Sequence, residues 1–589
     1  VFEREQQVVS TQIQRFCAEK GLPDPGEIQW SPIPFSGEWG ISTPFFQLAA
    51  LEARQGKNPG EPVNLRAQHI AEQVADYLGV PQGFQRLEAV KGYLNLYYSS
   101  AEYSRTVMDT VLALGLQYGR GEDKKSRVMV EFSQPNTHKA FHVGHLRNVI
   151  LGSTMSSILE TAGYEVVRAN YIGDIGLHVI KWLWNYMKFH AGEQPGEDRT
   201  RWMGDLYAEA DRRLDQQPEY EPEVRALFAR WDQRDPEIVN LWKMTRQWSL
   251  DGFDQIYCLL GVDFDRIYFE SEVEDPGKQL VEGMVQRGIA VDERPEGPVL
   301  VRLDDLLGLK KEKYRVLVVL RSDGTSLYST KDLPLAIRKF DEYALQKSIY
   351  VIDVRQALYM QQIFKTLEIM GYGWAPGCYH LAYEIVNLPG NVTMSSRDGT
   401  VVLLEDLIRE ARQRALQIVQ EKNPGLPDEQ KNSISLAVAL GALKYAMLSR
   451  DNTRIVTFDW DAALDFNGQA APYIQYAHVR ACSILRNVEN DSTTGGFTDE
   501  PMHPAEIQLI DMISRLPAEV QRAAAEYRPL HLTNLAYEMA RAFNDFYNQC
   551  PVLKAEPQLR ARRLRLVSAA RQALGNILRI LGITAPEMM

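Results

Sequence analysis

The chain has 589 residues, a formal net charge of −12, 45% hydrophobic residues and 24% charged residues. That length exceeds what one hydrophobic core can organise and, at ~150 residues per domain, implies roughly three to five units. The average composition excludes a disordered or fibrous chain, and the acidic balance excludes a protein that coats nucleic acid through excess lysine and arginine. In chain order, the first expected unit is 1–122, an α+β module. It carries "RAQHIAEQVADYLG" at helical spacing and then "AVKGYLNLYYS", which alternates like an exposed strand. Next, Val128–Phe132 reads as a β-branched strand, followed by a polar turn and a helix with Leu146, Val149, Ile150, Ile158 and Leu159 on its apolar positions, ending at Gly163. The strand "YEVVRANYIG" completes a β-α-β unit, so 123–178 is expected to be the first half of a doubly wound sheet.

Residues 179–312 are rich in tryptophan and charge and read as an inserted helical segment with a short β-rich end. Parallel-sheet character is expected to return over 313–390, where "RVLVVL" precedes a turn at Asp323-Gly324 and "KSIYVID" leads into another helix. A signature loop and stem-contact region is expected over 391–430, and 431–589 reads as almost entirely helical, with a loop near 491–496. The last 39 residues carry seven basic groups against two acidic ones, a pattern that reads as a solvated helix face. The five cysteines, Cys17, Cys258, Cys378, Cys482 and Cys550, form no C-x-x-C pair, which argues against disulfides or a zinc ribbon and for a reducing cytoplasm. No run of ~18 apolar residues and no basic-then-apolar leader is present, so no membrane association is expected.

Two short stretches carry chemistry. "HKAFHVGHLRN" places His142 and His145 around Gly144 where strand gives way to helix, a junction whose N–H groups and dipole favour anions. Two imidazoles three residues apart can donate to a phosphate that gains charge in a transition state. The same spacing can also hold zinc, but no metal site is assigned to it. The second stretch, "NVTMSSRDGT" over 391–400, has the form of a phosphate-handling loop without lysine.

In this order, the two stretches resemble the paired signatures of class I aminoacyl-tRNA synthetases. "VEFSQPN", "NYIGDIG", "DGTSLYSTKD", "APYIQYAHVRACSILRN" and the terminal "LRLVSAARQALGNILRILGITAPEMM" narrow the resemblance to the arginyl-tRNA synthetases, from about residue 60 to the end. That resemblance implies an HUP-like Rossmann core split by an insertion, an N-terminal domain that contacts tRNA, and a C-terminal helical anticodon-binding domain. It implies ATP, with Mg2+, as the energy source, L-arginine and tRNA(Arg) as substrates, a monomer, and activation only once tRNA is bound. Carried over residue by residue, it implies an arginine site of Glu131, Asn136, His142, Tyr328, Asp332 and Gln356. Tyr328 and Asp332 would face the guanidinium, while Asn136 and Gln356 would hold the α-amino and carboxylate end. ATP would meet Gly144, Asn136, Met394, Ser395, Ser396 and Arg397, with His142, His145 and Lys139 as the catalytic groups. Tyr473, Gln475, Tyr476, His478 and Arg480 offer stacking and hydrogen-bonding groups for loop bases of tRNA.

The family's K-M-S-K-S pattern is replaced here by Thr393-Met394-Ser395-Ser396-Arg397. Three readings stay open. Lys139 supplies the missing ammonium from the other side, Arg397 takes over, or activation is lost and the chain is a tRNA-binding paralogue. A cysteine- or glutamate-type class I synthetase is the enzymatic alternative. A site built on buried polar contacts rejects analogues by ~10⁴ or more, so no editing domain is expected.

Overall fold

The computed structural model describes residues 3–35, 37–56, 60–388, 392–393, 403–488 and 501–589. Two compact units are formed, and neither is continuous in sequence. One comprises residues up to Tyr118 together with Arg480–Leu516 and Glu538–Leu574. Its four-stranded antiparallel sheet runs in the order Ser31–Pro32, Gly40–Pro44, Tyr93–Tyr98, Phe84–Val90. The hairpin turns at Lys91 and Gly92, both at positive φ, the geometry that matches the twist of a two-residue β-turn.

The α+β module expected over 1–122 shares this unit with C-terminal segments, and two bonds join them. The Trp39 indole donates to Asp511 Oδ1 at 3.0 Å, and the Tyr118 hydroxyl donates to the Ile513 carbonyl at 2.9 Å. Both rings are buried and both need a polar partner, which the C-terminal helix Pro504–Ser514 provides. The basic tail is also no simple solvated face. Arg562 and Arg563 are buried against Glu506, and Arg565 pairs with Asp109.

The second unit contains a five-stranded, wholly parallel sheet in the order Cys378–Tyr383, Lys347–Asp353, Arg127–Glu131, Glu165–Ile172, Arg266–Phe269. The first crossover is helix Val143–Thr161, buried on nearly every side, with helix Asp428–Leu448 packed on it. A Cβ at Gly152 would overlap the Phe132 ring, so this glycine lets the helix sit close on the strand end.

The inserted segment ends earlier than 312. Helices Leu177–Phe189, Arg199–Gln216, Glu221–Asp232 and Pro236–Leu260 share a core of Trp182, Trp184, Trp231 and Trp242, but Arg266–Phe269 then rejoins the main sheet beside Glu165–Ile172. A strand of four residues gives too short a pattern to be separated from its helical surroundings. Val316–Leu320 is corrected as well. It pairs antiparallel with Val299–Arg302 in a separate three-stranded sheet, because a short apolar run does not state its partner. The turn at Asp323-Gly324 is present, with Gly324 at φ +80° and Thr325 N–H donating to Asp323. Among the described residues, no helix is long and apolar enough to cross a membrane.

Candidate active site

A cavity of about 530 Å³ opens at the carboxyl ends of the five parallel strands, and every strand contributes to its wall. Glu131 comes from the first, Tyr171 from the second, Glu270 follows the third, Ile352 and Asp353 end the fourth, and Tyr383 ends the fifth. The chain leaves Arg127–Glu131 toward one neighbour and later returns on its other side, so the cavity lies at the topological switch point where doubly wound sheets bind ligands.

The turn after the first strand is held rigidly. Ser133 and Gln134 both have positive φ, a strained geometry that survives only where surroundings enforce it. Asn148 Oδ1 accepts from Ser133 N–H at 2.6 Å, Asn170 Oδ1 from Gln134 N–H at 3.1 Å, and the Ser133 and Tyr257 hydroxyls bond at 2.7 Å. Asn136 then bridges to Gly173, where any Cβ would overlap its side-chain oxygen. His138 is buried between the hydroxyls of Thr137 and Thr245.

His142 caps the helix that follows. Its Nδ1 accepts from Gly144 N–H at 3.1 Å, and its own N–H donates to His145 Nδ1 at 3.1 Å. With both Nδ1 atoms accepting, each neutral ring carries its proton on Nε2. The rings stack with centroids 3.8 Å apart. Burial, then the Lys139 charge, hold His142 at about 4, and burial, His142 and Lys139 hold His145 well below the ordinary imidazole range. A Cβ at Gly144 would sit 2.9 Å from the His142 ring, which only glycine avoids.

Among the described residues four carboxylates line the cavity, and three of them have basic partners. Glu131 pairs with Lys339, Glu270 with Lys331 at 2.5 Å, and Asp353 with Arg355 at 2.8 Å. Asp332 has no basic partner among the described residues; it accepts from the Tyr359 hydroxyl at 2.5 Å. Burial pushes its carboxyl up to about 7, Glu131 and Glu270 push the same way, and the Tyr359 bond opposes them. Tyr328 begins helix Tyr328–Tyr343 and is 63% exposed, so its hydroxyl is reachable from the cavity mouth, with Asp332 one turn below. Ser329 and Thr330 anchor that helix start by donating to the Val318 and Val319 carbonyls.

Glu131, Asn136, His142, Gly144, His145, Tyr328, Asp332 and Gln356 are thus all brought to one cavity. Lys139 does not line it. Its ammonium lies over the Tyr207 ring at 4.9 Å, makes no ion pair among the described residues, and is made less basic chiefly by burial. Met394, Ser395, Ser396 and Arg397 fall outside the described residues. Sequence reasoning missed Lys331, Lys339, Glu270 and Tyr359. Lys339 lies seven residues after Asp332 on the same helix, a spacing of two turns that could have shown it; Glu270 was hidden by the unread strand before it.

Two expected tRNA contacts are corrected. Gln475 is fully buried and donates to the Ala437 and Thr584 carbonyls at 3.1 and 2.8 Å; His478 is buried with Nδ1 at 2.9 Å from the Pro586 carbonyl. Their polar groups serve helix packing, as helical spacing on an apolar face dictates. Tyr473 packs against Tyr537 at 5.4 Å, and Arg480 donates to Asn544 at 2.7 Å beneath the Tyr547 ring. Tyr476 is 38% exposed and lines a second cavity of about 240 Å³ with Lys422, Phe466 and Met589.

The family model "tRNA synthetases class I (R), catalytic domain" matches residues 107–460, and "DALR anticodon binding domain" matches 474–589. An arginine–tRNA ligase of Clostridium perfringens is 34% identical over 568 residues, covering 95% of this chain and 96% of that one. One from Treponema denticola is 32% identical over 586 residues, covering 97% and 96%. The arginyl-tRNA synthetase structure of Thermus thermophilus superposes with a TM-score of 0.78 at 27% identity, over 99% of this chain and 100% of that one.

Proposed function

The chain belongs to the class I arginyl-tRNA synthetase family, and from that premise we propose how its cavity joins L-arginine to tRNA(Arg) at the expense of ATP. In the first step the arginine carboxylate attacks the α-phosphorus of ATP in line and pyrophosphate leaves. In the second, the 2′-hydroxyl of the terminal tRNA ribose takes the arginyl group and AMP is released. The protein mainly positions groups and neutralises charge.

The observation that carries this reading is the partner count in the cavity. Among the described residues three of the four cavity carboxylates already have a basic partner, and Asp332, half-buried, is left as an acceptor for a cation. A guanidinium satisfies it, with the Tyr328 hydroxyl beside it. Asn136 and Gln356, which line the same cavity, take the α-amino and carboxylate end. The substrate carboxylate is then directed toward the Nε2–H donors of His142 and His145, which receive the α-phosphate as its charge grows. Glutamate or cysteine would leave Asp332 facing an anion or a neutral thiol.

Among the described residues no three His, Cys, Asp or Glu side chains converge as a metal cage. Mg2+ would enter with ATP on the triphosphate and supply charge neutralisation there. The Tyr476 cavity, with two aromatic walls and Lys422, suits an unstacked tRNA base. The working unit is a monomer in the cytoplasm.

AMP formation in the presence of tRNA tests the assignment. Arginine alone among arginine, lysine, cysteine and glutamate should support it; AMP formation with glutamate or cysteine would refute the substrate. Lys139 supplies the charge missing from 393–397, since an ammonium without an ion pair stands within electrostatic reach of both histidines. In pyrophosphate exchange with tRNA present, Lys139→Ala should lose about 10² in rate and Arg397→Ala clearly less. Equal or reversed losses would give the role to Arg397.

A further inference from the structure

Arg147 stands on the second turn of helix Val143–Thr161, directly after the histidine pair, and is only 1% exposed. A buried guanidinium ordinarily meets a carboxylate; this one meets backbone carbonyls instead. Nη1 donates to Glu384, to Ile385 at 3.4 Å and to Arg454 at 3.0 Å, while Nη2 donates to Asp451 and Asn452, both at 3.3 Å. The two carbonyl-bearing segments are themselves paired. Glu384 N–H donates to the Asn452 carbonyl at 2.9 Å, and strand Val386–Leu388 runs parallel to Val456–Thr457.

Ile385 and Val386 line the cavity together with His142, Gly144 and His145. On the far side of the second motif, Leu404 N–H donates to the Phe141 carbonyl at 3.1 Å, and Leu403 bridges to His142. The chain thus enters and leaves the 391–400 region on anchors that belong to the turn and helix of the two histidines. We propose that Arg147 is a positioning residue that sets the Glu384–Val386 wall at a fixed distance from His142 and His145. It touches neither substrate. Tyr328 and Asp332, assigned to the guanidinium of arginine, are held by other contacts, so the larger effect falls on ATP.

The inference rests on the activation reaction proposed above, and the test separates the two. In pyrophosphate exchange with tRNA present, Arg147→Met removes every donor at nearly constant volume. It should lower kcat about 10²-fold, the loss expected of a displacement on the order of 1 Å, and raise the KM for ATP about tenfold, with the KM for arginine within about twofold. Arg147→Lys keeps the charge and three donors and should recover about tenfold of the rate. A merely structural role would lower the folded fraction and shift arginine and ATP parameters together; that result, or an Arg147→Met enzyme equal to wild type, would overturn the proposal. Where Arg147→Met fails to fold, the same ATP-selective split read in Arg147→Lys decides the matter. Wild-type enzyme without arginine-dependent exchange would sink the reaction itself instead.

Discussion

Asp332→Asn should lower kcat/KM for arginine about 10³-fold, about 4 kcal/mol, while the KM for ATP stays within about twofold. The substitution keeps the shape of the side chain and an acceptor for the Tyr359 hydroxyl, so the fold should survive. What it removes is, among the described residues, the one cavity carboxylate without a basic partner, so a guanidinium would lose the charge that meets it. Steady-state kinetics with each substrate varied in turn checks this, and equal losses for arginine and ATP would count against Asp332 as the guanidinium acceptor.

The same carboxyl predicts a pH dependence whose sign can be worked out. In the empty protein it titrates near about 7, raised by burial from 3.8. The complex needs it ionised, so the unliganded protein holds a proton that arginine binding expels. Arginine affinity should rise about tenfold per pH unit below about pH 7 and level off above it. The group's contribution to fold stability is full below 3.8 and lost as pH rises through about 7, so arginine should raise the melting temperature more at about pH 8 than at about pH 6. Titration calorimetry in two buffers of different ionisation enthalpy reads the proton directly, and Asp332→Asn should abolish its release.

Much of this site was legible because its residues obey local periodicity. Tyr328 and Asp332 are four apart and share a helix face, and His142 and His145 close a capping box around Gly144. What was not legible is whatever depends on a distant partner. A sequence does not say that Lys339 neutralises Glu131 or that Lys331 neutralises Glu270, so the charge left on Asp332 emerges only from the packed cavity. The same limit hid the return of Arg266–Phe269 to the sheet and the dependence of the N-terminal module on Asp511. Gln475 failed for a related reason. On an apolar helix a polar side chain bonded to two carbonyls of the same unit looks, in sequence, like one waiting for a ligand.

His142→Asn separates two jobs that one side chain performs. Asparagine is among the best helix caps, and its side-chain oxygen can accept from Gly144 N–H as His142 Nδ1 does, so helix Val143–Thr161 should keep its start and the melting temperature should stay within a few degrees. The shorter side chain cannot carry an N–H donor to where imidazole Nε2 stands, and the loss should be about 10² or more in pyrophosphate exchange with both substrates saturating. His145→Ala should lose a similar factor, and the double variant little more if the stacked rings act as one unit. Because His142 is held at about 4 and His145 well below its ordinary range, neither should impose an inflection between about pH 6 and 8 on that saturated rate. An inflection near 6.5 that disappears in His142→Asn would mean that the ring works as an imidazolium, and the neutral-donor mechanism would fall.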